Sequence, residues 1–229
     1  MIDLKNTAFI FDMDGTLVDN MHFHTDAWRM LLEENEVPFN ERKFLIETAG
    51  KTNREILPGV FGEMSVERLA ELALRKEDLY REVYLPHRKP LDGLVIFLEK
   101  SKKLGIKLAV STAASPRNME FILDGLDLRH YFDALTTADD VKNGKPDPET
   151  FLISADKLGV APANCIVFED AFGGFLAAHR AGMKCVGLTT VNPAEEILAT
   201  GNVAETYADF SGLDPEKLVR NLLTDSPNQ

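Results

Sequence analysis

The sequence predicts an α/β fold in which a parallel sheet is covered by helices on both faces and interrupted once by a block of helix alone. Three observations carry this reading. Four short apolar runs, Ala8–Phe11, Leu108–Val110, Cys165–Phe168 and Cys185–Leu188, lack polar alternation and so read as strands buried on both faces. Amphipathic stretches separate the last three runs, and strand alternating with helix implies parallel neighbours joined by right-handed crossovers. From Asn20 to about Tyr84 the periodicity is helical throughout, which inserts a second, smaller lobe straight after the first strand.

The elements follow in order. At 229 residues the chain is long enough for a large and a small domain. The expected division gives residues 1–16 and 90–229 to the sheet and 17–89 to the helical insert. Linkers fall at Thr16–Asn20 and at Pro86–Gly93, where Pro86, Pro90 and Gly93 break regular structure. The longest insert helix runs from Ser65 to Tyr84, with Ser65 placed to cap it ahead of Glu67-Arg68. Beyond the insert, helices are expected over Arg117–Leu126, Glu149–Leu158 and Phe172–Ala181, with Gly159 and Gly182 just past the last two. Residues Thr224–Gln229 are expected to fray.

Composition narrows the function. With 45% hydrophobic and 27% charged residues, the chain is of the ordinary globular class and not a disordered one. A formal net charge of −12 argues against a nucleic-acid partner and against an anionic membrane surface. An anionic substrate would be repelled by that field, so local cations must reverse its sign at any such site. No apolar run approaches the ~18 residues that a spanning helix needs. The first residues, Met1-Ile2-Asp3-Leu4-Lys5-Asn6, lack the shape of a signal peptide, so a cytoplasmic location is expected. Nothing in the pattern calls for a second chain, and the expectation is a monomer acting on a small molecule. Cys165 and Cys185 sit inside apolar runs without metal-ligand spacing and are expected to be buried thiols.

Chemistry-bearing residues collect where the apolar runs end. Asp12 and Asp14 follow the first run, Ser111 and Thr112 the second, and Glu169 and Asp170 the third. Gly15 permits a tight turn after the aspartates, and Thr16 adds a hydroxyl. Lys145 lies in Gly144-Lys145-Pro146-Asp147-Pro148, where two prolines stiffen its approach ahead of a helix. Singly each residue is ordinary: a turn aspartate, a strand-end threonine, a surface lysine, an acidic helix start. In a parallel α/β sheet, however, strand carboxyl ends lie along one side, and ligands bind there. Acids so clustered need a cation, and an all-oxygen donor set suits Mg²⁺. Carboxylates, a lysine, a hydroxyl and Mg²⁺ are the parts needed to bind and transfer a phosphoryl group.

Those residues carry a resemblance. Asp12-x-Asp14-Gly15-Thr16, Thr112, Lys145 in Gly-Lys-Pro-Asp-Pro, and Glu169-Asp170-Ala171-Phe172-Gly173-Gly174 resemble, in order, the four motifs of the haloacid dehalogenase superfamily. The resemblance implies a Rossmann-like parallel core with an all-helical cap of the C1 type, and within the superfamily it points to the β-phosphoglucomutase and sugar-phosphate phosphatase branch. It implies that Asp12 is the nucleophile, forming an aspartyl-phosphate, and that Asp14 is the general acid/base. Thr112, Ala113 and Lys145 would hold the phosphoryl group. Mg²⁺ would sit on Asp12, Asp170 and the Asp14 backbone carbonyl, with Glu169 a direct or water-mediated ligand. In the insert, the resemblance makes His24, Lys51, Asn53, Arg54 and Lys76 candidates for substrate contact, with Tyr80 one turn beyond Lys76 and His22 pointing elsewhere. β-Phosphoglucomutases carry an arginine for a second phosphate at the position aligned with Asn53, so this chain departs from the mutase pattern there.

Two enzymatic readings therefore stand, a Mg²⁺-dependent phosphatase of small sugar phosphates and a phosphosugar mutase using the same intermediate. A non-catalytic phosphate-binding protein is disfavoured by the intact set Asp12, Asp14, Lys145 and Asp170. A dehalogenase proper needs neither the metal nor the second aspartate.

Overall fold

A computed structural model describes residues 3–48 and 52–223. The chain divides into two compact units, one of residues 1–19 and 89–229 and one of residues 20–88. Lys51, among the candidates above, and the segment Thr224–Gln229 lie outside the described residues. The boundaries fall inside both expected linkers. Thr16, Leu17 and Val18 are buried, and Leu17 O accepts from Leu91 N, so these residues belong to the larger unit and are not linker.

The larger unit is built on six parallel strands: β1 (Ala8–Phe11), β2 (Lys107–Ser111), β3 (Ala134–Thr136), β4 (Cys165–Glu169), β5 (Lys184–Leu188) and β6 (Glu205–Tyr207). Their order across the sheet is β3-β2-β1-β4-β5-β6. The chain thus builds outward from β1 in one direction, then returns to β4 and builds the other way. The crevice at that reversal, between β1 and β4, is where ligands bind in such sheets. Register brings Phe11 opposite both Val110 and Phe168, so residues just past these three positions converge. The sequence reading missed β3 and β6, whose three residues each are too short to set up a recognisable apolar run.

Each sheet face has its own core. Ala8 and Ile10 of β1 point to one side with Val167, Phe151 and Phe175, under helices Glu149–Leu158 and Phe172–Arg180. Phe9 and Phe11 point to the other, where they meet Phe97, Phe168 and Phe210. The Phe11 and Phe168 rings stack with centroids 4.7 Å apart, and Phe9 and Phe97 at 5.3 Å. Aromatic burial of this kind combines large apolar area with specific ring geometry. Cys165 and Cys185 are buried free thiols, and burial raises both, Cys165 to about 12, so neither is a ready nucleophile.

The smaller unit contains α1 (Met21–Glu34), α2 (Glu41–Thr48), α3 (Asn53–Phe61) and α4 (Val66–Tyr84). The Ser65 side chain accepts from Arg68 N and caps α4, while Thr52 and Glu55 form a capping box on α3. Helix α1 buries Ala27, Trp28, Leu31 and Leu32, and α4 buries Leu72, Lys76, Leu79 and Tyr80, a helical stripe with one lysine in it. That lysine is the anomaly of this unit. In the larger unit, the helix expected over Arg117–Leu126 spans Pro116–Leu123, because Ser115 caps it and the chain turns at Asp124-Gly125.

Phe97 touches the aromatic face from a helix that supplies nothing to the strand ends. Phe97→Ala is therefore expected to destabilise the protein by about 3–5 kcal/mol, read as a lower urea midpoint at unchanged slope. A loss below about 1 kcal/mol would show that this face relaxes around the missing ring.

Candidate active site

The site assembles where the register predicts. Asp12 N donates to Phe168 O, which fixes the first residue past β1 against β4. Glu169 ends β4, and Asp170 follows it into the turn before helix Phe172–Arg180. Carboxylate oxygens of Asp12, Glu169 and Asp170, one from each, lie within 4.8 Å of one another. These groups are only 7%, 1% and 3% exposed. Three carboxylates so close and so buried repel one another and lose solvation unless something positive joins them.

Lys145 supplies part of that charge. Its Nζ donates to Asp12 Oδ1 and Glu169 Oε1, each at 2.6 Å, and to the backbone oxygen of Ser111 at 3.3 Å. The ammonium also lies 4.8 Å from the centre of the Phe151 ring. Glu169 spends its other oxygen on two backbone donors, Asp170 N and Ala171 N, both at 2.8 Å. Both of its oxygens are thus engaged within the protein, so it braces Lys145 and the turn that carries Asp170.

One lysine against three acids leaves the cluster short of positive charge, and burial acts on its carboxyls in the same direction. Burial, the largest cause, pushes Asp12 up to about 7; Lys145 opposes that, while Glu169 and Asp14 add to it. Burial followed by the charges of Glu169 and Asp12 raises Asp170 well above the carboxylate range. Burial alone would lower Lys145, but Asp12 and Glu169 outweigh it and hold the ammonium above the ordinary lysine value.

Two glycines let the acids close in. Gly15 has φ +81°, and a Cβ there would lie 2.1 Å from Asp170 Oδ2. At Gly174 a Cβ would lie 1.9 Å from the Glu169 carboxyl. The remaining candidates fall around this centre. Asp14 is half-buried and bridges Val18. Thr112 is buried, with N bonded to Thr136 O and its hydroxyl accepting from Ala114 N, while Ala113 beside it is exposed.

Two supporting residues escaped the sequence reading. Thr190 Oγ1 donates to Gly15 O at 2.6 Å, and Asn192 Nδ2 donates to Asp170 O at 2.9 Å. Both follow β5, so the strand-end rule that found the other acids would have found them had it been applied to a fourth run.

The helical unit carries its own polar cluster. Lys76 Nζ lies 2.8 Å from His24 Nδ1 and donates to Glu77 Oε1 at 3.0 Å. Asn53 Nδ2 donates to the same Glu77 oxygen at 2.6 Å. The His24 ring stacks on Tyr80 with centroids 3.8 Å apart, and Asn20 donates to the Tyr80 hydroxyl. Lys76, His24 and Asn53 therefore come together, whereas Arg54 is exposed and His22 is exposed beside Phe23.

Fold and site together define an α/β enzyme centred on a buried carboxylate cluster braced by one lysine. The chain belongs to the haloacid dehalogenase-like hydrolase family, whose model matches residues 7–182. It is 37% identical over 184 residues to the fructose-1-phosphate phosphatase YqaB of Escherichia coli, covering 80% of this chain and 96% of that one. The β-phosphoglucomutase of Bacillus subtilis is 33% identical over 194 residues, 81% of this chain and 84% of its own. Among solved structures, a family IA, variant 3 haloacid dehalogenase hydrolase of Entamoeba histolytica superposes with TM-score 0.87 at 28% identity, covering 96% of this chain and all of that one. No helix among the described residues is long and apolar enough to cross a membrane.

The raised carboxyls make a pH prediction for metal-free protein. Asp12 and Asp170 bind protons more tightly folded than unfolded, so stability falls as pH rises from the ordinary carboxylate value toward about 7. Lys145 is raised too, but its contribution is constant until pH exceeds the ordinary lysine value. EDTA-treated protein should melt several degrees lower at pH 8 than at pH 5, at about 2–4 °C per kcal/mol for a chain this size. Asp170→Asn should flatten that dependence. An unaltered slope in the variant would place its origin elsewhere.

Proposed function

We propose that the protein is a Mg²⁺-dependent phosphatase of small phosphate esters, sugar phosphates above all, acting through an aspartyl-phosphate on Asp12. The observation that carries this is the charge deficit at the strand ends: three buried carboxylates with oxygens within 4.8 Å, and one lysine on two of them. An all-oxygen cluster short of positive charge fits a hard divalent cation. Asp12 and Asp170 would hold the ion, with the Asp14 backbone carbonyl, while Glu169 fixes Lys145. When bound, Mg²⁺ supplies the positive charge that lets an anionic phosphoryl group approach an ionised aspartate.

The chain's own residues do the rest. An Asp12 oxygen attacks phosphorus, a bond from Asp12 to phosphorus forms, and the bond from phosphorus to the ester oxygen breaks. Asp14 gives its proton to the departing alkoxide. Water then attacks the phosphoaspartate, Asp14 takes its proton, and inorganic phosphate leaves with Asp12 restored. Lys145 remains protonated throughout, and with Thr112 and the backbone at Ala113 it binds phosphoryl oxygens. The proton carrier and the nucleophile must differ in environment, and they do: Asp12 is buried against Lys145, whereas Asp14 is half-buried.

The carbon-bearing end of the ester falls to the helical unit, read by His24, Asn53 and Lys76, with Lys51 and Arg54 as further candidates. The mutase reading draws on the likeness to β-phosphoglucomutases. Against it stands Asn53, an amide bonded to Glu77 where those enzymes place a phosphate-binding arginine. Weakly held sugar leaves water to take the phosphoryl group.

Asp12→Asn is expected to abolish phosphate release from fructose 1-phosphate and glucose 6-phosphate while far-ultraviolet circular dichroism stays unchanged. Activity above a hundredth of wild type would sink the covalent mechanism. Asp14→Asn should cost about 10²–10⁴-fold. Wild-type enzyme offered β-glucose 1-phosphate with Mg²⁺ should release phosphate faster than it forms glucose 6-phosphate. The reverse ranking would establish the mutase.

A further inference from the structure

The helical unit holds a buried lysine paired with a neighbouring carboxylate. Lys76 is 3% exposed, between the rings of Trp28 and Tyr80 at 5.8 and 5.7 Å from its ammonium. An ammonium only donates, so at 2.8 Å from it His24 Nδ1 must be the acceptor, which puts the imidazole proton on Nε2 and leaves the ring neutral. The charge on Lys76 is matched by Glu77, whose side chain is 19% exposed. The same Glu77 oxygen takes the amide N–H of Asn53, which turns the Asn53 carbonyl oxygen away from that bond.

These four residues form one polar cluster of zero net charge. It combines acceptors, on Asn53 and Glu77, with donors, on His24 and Lys76. A hydroxyl both donates and accepts and can satisfy such a set. A phosphate dianion only accepts, and it would be brought against the Glu77 carboxylate, a like-charge contact that is costly where solvent is excluded.

We propose that Glu77 is the specificity-determining residue of this enzyme, cancelling the charge of Lys76 and orienting Asn53 so that the helical unit takes a neutral, hydroxyl-bearing group and rejects a second phosphate. The proposal rests on the reading above that this cluster meets the carbon-bearing end of the ester. It goes further in making discrimination an active rejection by a carboxylate and not only the lack of an arginine.

Glu77→Gln tests this, because the amide keeps the shape and can still accept from Asn53 while losing the charge. The ratio of kcat/KM for fructose 1,6-bisphosphate to that for fructose 1-phosphate should rise about tenfold, through KM. Trp28 is the single tryptophan of the chain and lies against Lys76, so its fluorescence supplies a readout independent of turnover. Without Mg²⁺, inorganic pyrophosphate should perturb Trp28 emission in Glu77→Gln and not in wild type. An equal loss on both substrates, with Trp28 indifferent to pyrophosphate in both proteins, would make Glu77 merely structural and overturn the proposal. Wild type that releases phosphate from no ester would instead defeat the phosphatase reading, and the Trp28 titration would still decide the role of Glu77.

Discussion

The larger unit is organised around one ammonium. Lys145 is the positive group that holds Asp12 and Glu169 at hydrogen-bonding distance in the interior. Removing one partner of such an arrangement leaves a buried charge unmatched, which costs far more than the pair contributes to stability. The cluster is therefore expensive as structure, a cost that fits the proposed binding of a cation and a phosphoryl group. Phe151 below the ammonium and Ser111 O beside it fix the lysine from its other sides. Glu169, with Lys145 on one oxygen and two backbone amides on the other, converts the position of the lysine into the position of Asp170.

Much of this was legible in the sequence, for a physical reason. Strands buried on both faces are written as unbroken apolar runs, and a parallel sheet puts their carboxyl ends together. Asp12, Thr112, Glu169 and Asp170 could be grouped by position alone, without any knowledge of register. The short strands Ala134–Thr136 and Glu205–Tyr207 were not legible, because three residues at a sheet margin carry no period. Nor were the engaged oxygens of Glu169. A motif gives residue type and order, whereas which carboxylate oxygen meets an amide depends on a turn that sequence does not specify. Thr190 and Asn192 lie between these cases, since the signal was present one strand further on.

The helical unit shows the opposite balance. Its helices are evident from periodicity and from caps such as Ser65, but the contacts of its candidate residues are not. Lys76 is a candidate by resemblance, yet beside Glu77 it also fits a solvated charge run, Arg75-Lys76-Glu77-Asp78. In the structure Arg75 and Lys76 part company: Arg75 reaches Glu34 and Glu82 at the surface, while Lys76 turns inward between aromatic rings. Neighbours in sequence point about 100° apart on a helix, so a charge run always contains residues aimed at different surroundings. Only Trp28, distant in sequence, together with Tyr80 one turn on, shows that Lys76 is the buried member of the run.

The two units pair a buried lysine with carboxylates in different ratios. At the strand ends, acids outnumber the lysine. In the helical unit one acid meets one lysine, and the cluster closes on itself. Glycine at positions 15 and 174 shows how closely the first centre is drawn together, since a single methyl group at either would collide with Asp170 or Glu169.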